Sequence, residues 1–171
     1  ILYDLLGRFH EQDMREATVD EFMRRYHIDV QQAARVKRVA QKLLAACGGG
    51  DENDERFLDW AARLHEIGLS VSHGGYHRHA GYILENADMP GFSRTDQARL
   101  ALLARAQRGA LTKLPAFASG AVPDSDRLLV WLLRQAVILC RSRADPRLPD
   151  VKVEASGKRL RLSLPEGWLE R

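Results

Sequence analysis

The spacing of apolar residues changes once along this 171-residue chain, and that change constrains the fold more than any other feature. Up to about residue 145, apolar residues recur at every third or fourth position, which predicts amphipathic helices. From Val151 onward they alternate with polar residues on both sides of Ser156-Gly157-Lys158, which predicts a β-hairpin. An isolated hairpin is marginal in water. The sequence therefore predicts a mainly α-helical domain, residues 1–145, with a C-terminal β-hairpin subdomain, residues 146–171, packed on it.

Local signals predict where several helices begin and end. Thr18-Val19-Asp20-Glu21 and Ser93 to Asp96 have the pattern of a capping box, which predicts a helix start at each. Asp29 is expected to cap the helix that Gly48-Gly49-Gly50 ends. The acidic residues that follow the glycines are expected in a solvated loop. A further helix is predicted from about His77 to Glu85.

The last predicted helix follows a segment rich in Pro and Gly, Leu114 to Pro123, which is expected to be a loop. The run Leu128–Cys140 is apolar on almost every face, which predicts the central buried helix. Arg134 and Gln135 interrupt this run, which is too short to span a membrane. Because so apolar a helix and a hairpin with a bare Leu face need more cover than a small domain supplies, a homodimer is expected.

Composition narrows the class of protein and its compartment. Apolar residues make up 45% and charged residues 29% of the chain, which indicates a folded domain with a core and excludes disorder. Cys47 and Cys140 both lie in apolar helical contexts, which predicts buried thiols in a reducing, cytoplasmic compartment. The chain starts inside an apolar pattern and without Met, so a piece of a longer chain is expected.

The basic residues are unevenly distributed, although the net charge is only +3. Many lie in the C-terminal half: Arg105, Arg108, Lys113, Arg134, Arg141, Arg143, Arg147, Lys152, Lys158, Arg159 and Arg161. A solvated surface and an anion-binding face both fit this distribution.

Four of the six histidines lie in one short segment, at His65, His73, His77 and His79. Two interpretations are open at this point. Histidines and carboxylates on neighbouring helices could hold a divalent metal that activates water for phosphoester hydrolysis. Alternatively, these histidines could form hydrogen bonds that stabilise the fold.

The segment from His65 to Leu84, with Gly91-Phe92-Ser93 and the opening Leu2-Tyr3-Asp4-Leu5-Leu6-Gly7, resembles the C-terminal part of the exopolyphosphatase / guanosine-pentaphosphate phosphohydrolase family. The resemblance covers nearly the whole chain. It implies an actin-like catalytic region, which binds phosphate and works with Mg²⁺, upstream of a helical region similar to HD-type phosphohydrolases. This chain looks like the helical region alone. It contains no Gly-rich phosphate loop, so no catalytic residue is assigned and the chain alone is expected to have no hydrolase activity.

The resemblance also implies where an HD-type metal site would lie. His27 and His65 match the first two histidines of such a site, but Glu66 follows His65 where the HD pattern has Asp. Gln107 stands where a further His is often found, and Val137 stands where an Asp is required. Because a hard oxygen ligand is missing, a degenerate site with no bound metal and no cofactor in this domain is expected.

A set of basic residues in and after the histidine segment is interpreted as a site for a polyanion. Arginine and lysine hold phosphates through charge-assisted bonds and counterion release. The candidate polyphosphate-binding residues are His77, Arg78, His79, Arg105, Arg108, Lys113, Arg141 and Arg143.

The sequence fits two functions from different classes. The first is the C-terminal domain of an exopolyphosphatase, which binds inorganic polyphosphate, supports processive removal of terminal phosphate and forms a homodimer. The alternative is a dimerisation and regulatory module of a guanosine pentaphosphate phosphohydrolase. Neither includes a nucleic-acid partner.

Overall fold

A helical domain precedes one antiparallel strand pair in the computed structural model of the chain, which describes residues 2–156 and 159–166. The helices are α1 (Leu2–Arg25), α2 (Val30–Ala46), α3 (Glu52–Leu64), α4 (Tyr76–Asn86), α5 (Arg94–Ala106), α6 (Pro115–Ala118) and α7 (Asp124–Leu139). Short 3-10 helices lie at Ile67–Ser70 and Leu111–Lys113, and the strands are β1 (Lys152–Ser156) and β2 (Arg159–Ser163). The prediction of a mainly α fold with a C-terminal hairpin is confirmed.

One contiguous apolar core joins the helices. The aromatic rings of Phe57 and Trp60 on α3 meet edge to face, with centroids 5.2 Å apart, and Trp60 meets Phe92 in the same way at 4.9 Å. Leu43 of α2 and Leu129 of α7 are fully buried in the same core. Burial of such large side chains is the main source of stability in a domain of this size.

Three of the predicted helix boundaries are confirmed. The Asp29 side chain accepts a hydrogen bond from the Gln32 N–H at 3.0 Å and caps α2. Ser93 and Asp96 form a reciprocal capping box at the start of α5. Helix α2 ends just before Gly48, which has a φ of +95° that only glycine adopts readily.

The helix predicted from about His77 to Glu85 is also present, as α4, but four other local predictions are wrong. No helix begins at Thr18, because α1 runs through it and its hydroxyl donates to the Pro90 carbonyl at 2.7 Å instead of capping. The acidic stretch is not a loop, since Asp51 caps α3 and the acids after it favour the positive end of that helix. The segment Leu114 to Pro123 contains α6, which starts at Pro115. Helix α7 is not buried all round, because Ile138 is 59% exposed.

The hairpin packs against the helices through β1. Val153 pairs with Leu162 in register, and the side chains of Val151 and Val153 are buried in the helical core. The Lys42 ammonium of α2 donates to the Leu148 carbonyl at 2.9 Å, just before the strand. The turn predicted at Ser156-Gly157-Lys158 lies partly outside the described residues, at 157–158.

Of the two cysteines predicted to be buried, one is buried and the other is only partly so. Both thiols are free; Cys140 is buried, while Cys47 is only partly buried, contrary to expectation. Burial raises the pKa of Cys140 to about 11, so this thiol is protonated at neutral pH. In the part of the chain that the structure describes, no helix combines the length and apolar character that a membrane crossing requires.

Candidate functional site

A cleft of about 520 Å³ opens where the ends of several helices meet. The C-terminal ends of α3, α5 and α7 supply most of its lining, together with the start of α4. The lining residues are Gln32, His65, Glu66, Leu69, His73, Tyr76, Gln107, Arg108, Gly109, Arg134, Val137, Ile138, Arg141 and Arg143. This cleft brings together most of the predicted degenerate site and part of the predicted polyanion site.

A glycine allows the two walls of the cleft to approach each other. Gly68 in the 3-10 helix is buried against the first turn of α4. A Cβ atom there would lie 2.6 Å from the Ala80 backbone nitrogen, closer than real side chains come. The sequence Ile67-Gly68 thus sets the distance between His65 at the end of α3 and Tyr76 at the start of α4.

The floor of the cleft is a neutral histidine. The His65 ring is 1% exposed, and its Nδ1 lies 2.6 Å from the Ala62 carbonyl oxygen. Because a carbonyl only accepts, Nδ1 carries the hydrogen and Nε2 the lone pair. Burial lowers the pKa of His65, although the nearby Glu66 carboxylate opposes this shift. Nε2 is 3.9 Å from the Glu66 Oε1, too far for a hydrogen bond.

Gln107 ties the end of α5 to the end of α3. Its side-chain Nε2 donates to the His65 carbonyl at 2.6 Å and to the Ala104 carbonyl at 2.9 Å. Its Oε1 is buried with no hydrogen-bond partner among the described residues. The amide therefore holds the main chain at His65 in place, which is a structural role that needs no metal.

The donor set around His65 does not fit a divalent metal. Gln107 offers a single neutral amide oxygen, its Oε1, which has no partner in the described chain, and Val137 offers no donor atom. Among residues 2–156 and 159–166, no three His, Cys, Asp or Glu side chains converge closely enough to hold a metal ion. No chemical step in this domain is therefore assigned to a metal.

His27 lies apart from this cleft. It is exposed in the turn between α1 and α2, with a left-handed φ of +52°, and it is not a lining residue. Helix α2 instead contributes Gln32, which is 3% exposed and donates from Nε2 to the Cys140 carbonyl at 2.9 Å. Sequence reasoning missed Gln32, because a polar residue in the first turn of a helix is a common cap neighbour.

Three arginines in the cleft make no ion pair with any described carboxylate. Arg134 donates to the carbonyl oxygens of Ala106 at 2.8 Å and Gly109 at 3.0 Å. Arg108 lies over the Tyr76 ring, 5.7 Å from its centroid, and its charge opposes the rise that burial causes in the pKa of Tyr76. Arg141 is exposed at the end of α7. Their positive charge is therefore not neutralised by any described carboxylate.

Arg143 is the exception among the cations of the cleft. Its Nη2 donates to the Glu66 Oε1 at 2.7 Å, and its Nη1 donates to the Asp29 Oδ2 at 2.8 Å. The backbone at Arg143 is left-handed, with a φ of +57°, which is unfavourable for a residue with a Cβ atom. These two ion pairs place Arg143 at the mouth of the cleft.

Five residues predicted to bind polyphosphate do not line the cleft. Arg105 forms an ion pair with Glu85 of α4 at 2.9 Å, and its side chain lies against Gly81. Arg78 and Lys113 are exposed, and His77 and His79 are partly buried. The structure thus brings together Arg108, Arg141 and Arg143 but not the other five.

His77 lies next to the cleft rather than in it. Its Nε2 would be 3.3 Å from a Cβ atom at Gly109, and its Nδ1 is buried without a hydrogen-bond partner among the described residues. Burial and then the charges of Arg78 and Arg108 lower the pKa of His77. The field of the arginines therefore extends beyond the lining residues.

Arg134 is the functional candidate that sequence reasoning missed. In the sequence it is one of the basic residues of the C-terminal half, but it interrupts an apolar run and is not among the candidate polyphosphate-binding residues. In the structure it is partly buried, and burial lowers the pKa of its guanidinium. A lone cation inside an otherwise apolar helix was the signal, since such a group needs a polar site to face.

Comparisons with known proteins agree on one family. The family model described as Ppx/GppA phosphatase, domain III, matches residues 14–171. Proteins named guanosine-5'-triphosphate,3'-diphosphate pyrophosphatase from Pseudoalteromonas translucida, Aeromonas hydrophila and Vibrio vulnificus are 36%, 35% and 32% identical to the chain. Each match covers 99% of this chain, and the chain spans about a third (35%) of each relative's length.

Proposed function

The chain belongs to the Ppx/GppA phosphatase family, as its domain III, and on that basis we propose that it is the C-terminal helical domain of a phosphohydrolase and binds substrate phosphates in its cationic cleft. We expect no hydrolysis by the domain itself, because burial lowers the pKa of His65 at the floor of the cleft and no three His, Cys, Asp or Glu side chains among the described residues could hold a metal ion together. Catalysis, with the Mg²⁺ expected there, belongs to the remainder of the longer protein.

The observation that carries this proposal is the set of unpaired guanidinium groups. Arg108, Arg134 and Arg141 face one cleft of about 520 Å³ and have no carboxylate partner in the described chain. Guanidinium groups bind phosphate oxygens through paired, charge-assisted hydrogen bonds. Arg134 is also held by two backbone carbonyls, so one donor group is already oriented before a ligand arrives.

A guanosine nucleotide with several phosphates is the substrate that we propose first for the whole protein. The three relatives carry the name of an enzyme that acts on guanosine 5'-triphosphate 3'-diphosphate. The cleft also has apolar lining at Leu69, Val137 and Ile138 beside its arginines, and an apolar surface suits a base better than it suits a chain of phosphates alone.

Inorganic polyphosphate is the second candidate. Arg78 and Lys113 are exposed and form no ion pair among the described residues, so a long anion could continue past the cleft onto them. Processive hydrolysis would follow from such a track.

A cytoplasmic location and a homodimer are also parts of this proposal. The exposed side chain of Ile138, at the edge of the cleft, is one apolar surface that a second copy would cover.

Binding measurements with the 171-residue chain test the proposal. We expect the double variant Arg108→Gln/Arg141→Gln to bind guanosine pentaphosphate and polyphosphate about tenfold more weakly at low salt, roughly 1.4 kcal/mol. The loss should shrink as salt rises, because lost phosphate contacts release fewer counterions. Arg94→Gln is the matched control, since Arg94 is exposed at the opposite end of α5. Equal affinity of the double variant and the control would contradict the proposal.

The two candidate substrates are separated by the same titration. If the cleft serves a nucleotide, affinity should depend on the guanosine and not rise with the length of an inorganic chain. If it serves polyphosphate, longer chains should bind more tightly, and Arg78→Gln should weaken the binding of long chains but not of short ones.

A further inference from the structure

We infer that Glu66 lowers the affinity of the cleft for phosphate groups, because its ion pair with Arg143 occupies a guanidinium that would otherwise bind phosphate. This inference rests on the proposed function of the cleft. It assigns to Glu66 a role that neither catalysis nor metal binding would give it.

The geometry separates Arg143 from the other cations of the cleft. Each terminal nitrogen of its guanidinium donates to a carboxylate, Nη2 to Glu66 at 2.7 Å and Nη1 to Asp29 at 2.8 Å. Among the described lining residues, Glu66 is the one that carries a carboxylate. A phosphate that enters must therefore compete with Glu66 for Arg143 and also meet its negative charge.

Burial makes this competition unequal. The Glu66 side chain is 12% exposed, whereas that of Arg143 is 47% exposed. The carboxylate is fixed inside the cleft and less screened by solvent, so its field acts on any anion bound nearby. The guanidinium is the mobile partner, because it is at the surface on a long side chain and can turn from Glu66 to an incoming phosphate.

The fold gives Glu66 little other use. It precedes the 3-10 helix at Ile67–Ser70 but makes no side-chain capping bond to it. Its distance from the His65 Nε2, 3.9 Å, is too long for a hydrogen bond. Gln has the same length and still accepts a hydrogen bond from Arg143, so Glu66→Gln removes the charge while leaving the local structure in place.

Isothermal titration of the 171-residue chain with inorganic tripolyphosphate tests the inference. We expect Glu66→Gln to bind about fivefold more tightly than the parent at low salt. Asp29→Asn, which keeps a good cap for α2, should give a smaller gain in the same direction. Glu85→Gln is the matched control, because Glu85 also pairs with an arginine, Arg105, but outside the cleft. It should change affinity by less than about twofold.

A double-mutant cycle decides whether Arg143 is involved. The gain from Glu66→Gln should shrink at least about twofold when Arg143→Gln is added, since only the direct repulsion by the carboxylate then remains; if the full gain persists, Glu66 does not act through Arg143 and the inference is overturned. An unchanged affinity in Glu66→Gln, with weakened binding in Arg108→Gln/Arg141→Gln, also overturns it but leaves the proposed function standing. If neither the parent nor Glu66→Gln binds tripolyphosphate, both fail.

Discussion

Arginines hold the helices together in one region of this molecule and are left uncompensated in another. Between α1, α3, α5 and α7, Arg63 and Arg99 each contact two or more carboxylates. In the cleft, Arg108, Arg134 and Arg141 contact a ring, two carbonyl oxygens or solvent. The same residue type thus stabilises the fold where its charge is paired, and it is available to a ligand where it is not.

The paired region shows what a compensated arginine contributes. The Arg99 Nε donates to the Asp126 Oδ1 at 2.8 Å, and its Nη2 also bonds to Asp54. Its guanidinium lies 4.4 Å from the centroid of the Phe57 ring. One side chain of α5 therefore links α3 and α7, and the carboxylate of Asp126, 10% exposed, depends on it for its charge to be tolerated.

The largest effect should come from breaking this paired site. Arg99→Gln leaves two largely buried carboxylates without a cation, so we expect the free energy of unfolding to fall by about 3 kcal/mol. Urea unfolding followed by circular dichroism measures it. Arg94→Gln on the same helix removes an exposed arginine with no carboxylate partner in the described chain and should change stability by less than about 0.5 kcal/mol. Similar losses in both variants would contradict the comparison.

Charge is also distributed unevenly within the cleft. Its rim holds unpaired arginines, whereas His65 at its floor stays neutral. Burial lowers the pKa of His65 in the folded chain. Below about pH 6.5, the ordinary pKa of histidine, the unfolded chain binds a proton that the folded chain does not. Acid therefore favours unfolding, and His65 should cost about 1.4 kcal/mol per pH unit between that pH and its own lowered pKa.

Unfolding in urea at several pH values between 7.5 and 5 checks this dependence. In His65→Asn the side-chain amide still donates to the Ala62 carbonyl, but nothing titrates there, so the slope below pH 6.5 should be shallower than in the parent. A residual slope is expected from His77, because burial and then Arg78 also lower its pKa. Identical slopes in parent and variant would show that the floor of the cleft tolerates charge after all.

A smaller effect should distinguish Arg105 from its neighbour Arg108. Arg105 is paired with Glu85 on a partly exposed surface, so Arg105→Gln should lower the free energy of unfolding by about 0.5 kcal/mol. Because the guanidinium already has a carboxylate and does not line the cleft, tripolyphosphate binding should stay the same. Weakened binding in Arg105→Gln would extend the anion site beyond the cleft to Arg105, as the sequence predicts.

Features that depend on neighbours in sequence were predictable. Asp29 and Ser93 cap helices through bonds to residues three positions on, so the pattern alone identifies them. Thr18 has the same local pattern, but its hydroxyl bonds to Pro90, 72 residues away. A short-range pattern carries no information about such a partner, and the predicted helix start was wrong for that reason.

The candidate site was predictable only in part, because it depends on which way each cation points. Arg105 and Arg108 are three residues apart, which would place them on one helix face, but α5 ends at Ala106. The chain therefore turns between them, and only Arg108 enters the cleft. Arg134 was not among the candidate polyphosphate-binding residues, because in the sequence it is a cation that interrupts the apolar run of α7. Neither the end of α5 nor the packing of α7 on it is encoded locally.

The smallest expected effect is a change in stability that should have opposite signs for an unpaired and a paired arginine. Arg141 is near three other arginines in the cleft and has no carboxylate partner in the described chain, so Arg141→Gln should raise the free energy of unfolding by up to about 0.5 kcal/mol at low salt. Arg38 is also exposed but pairs with Asp145, so Arg38→Gln should lower it by a similar amount. Urea unfolding of both variants measures the pair, and both differences should vanish in high salt. If both variants lose stability equally, Arg141 has a partner that stabilises the fold, and a phosphate would have to displace it to bind.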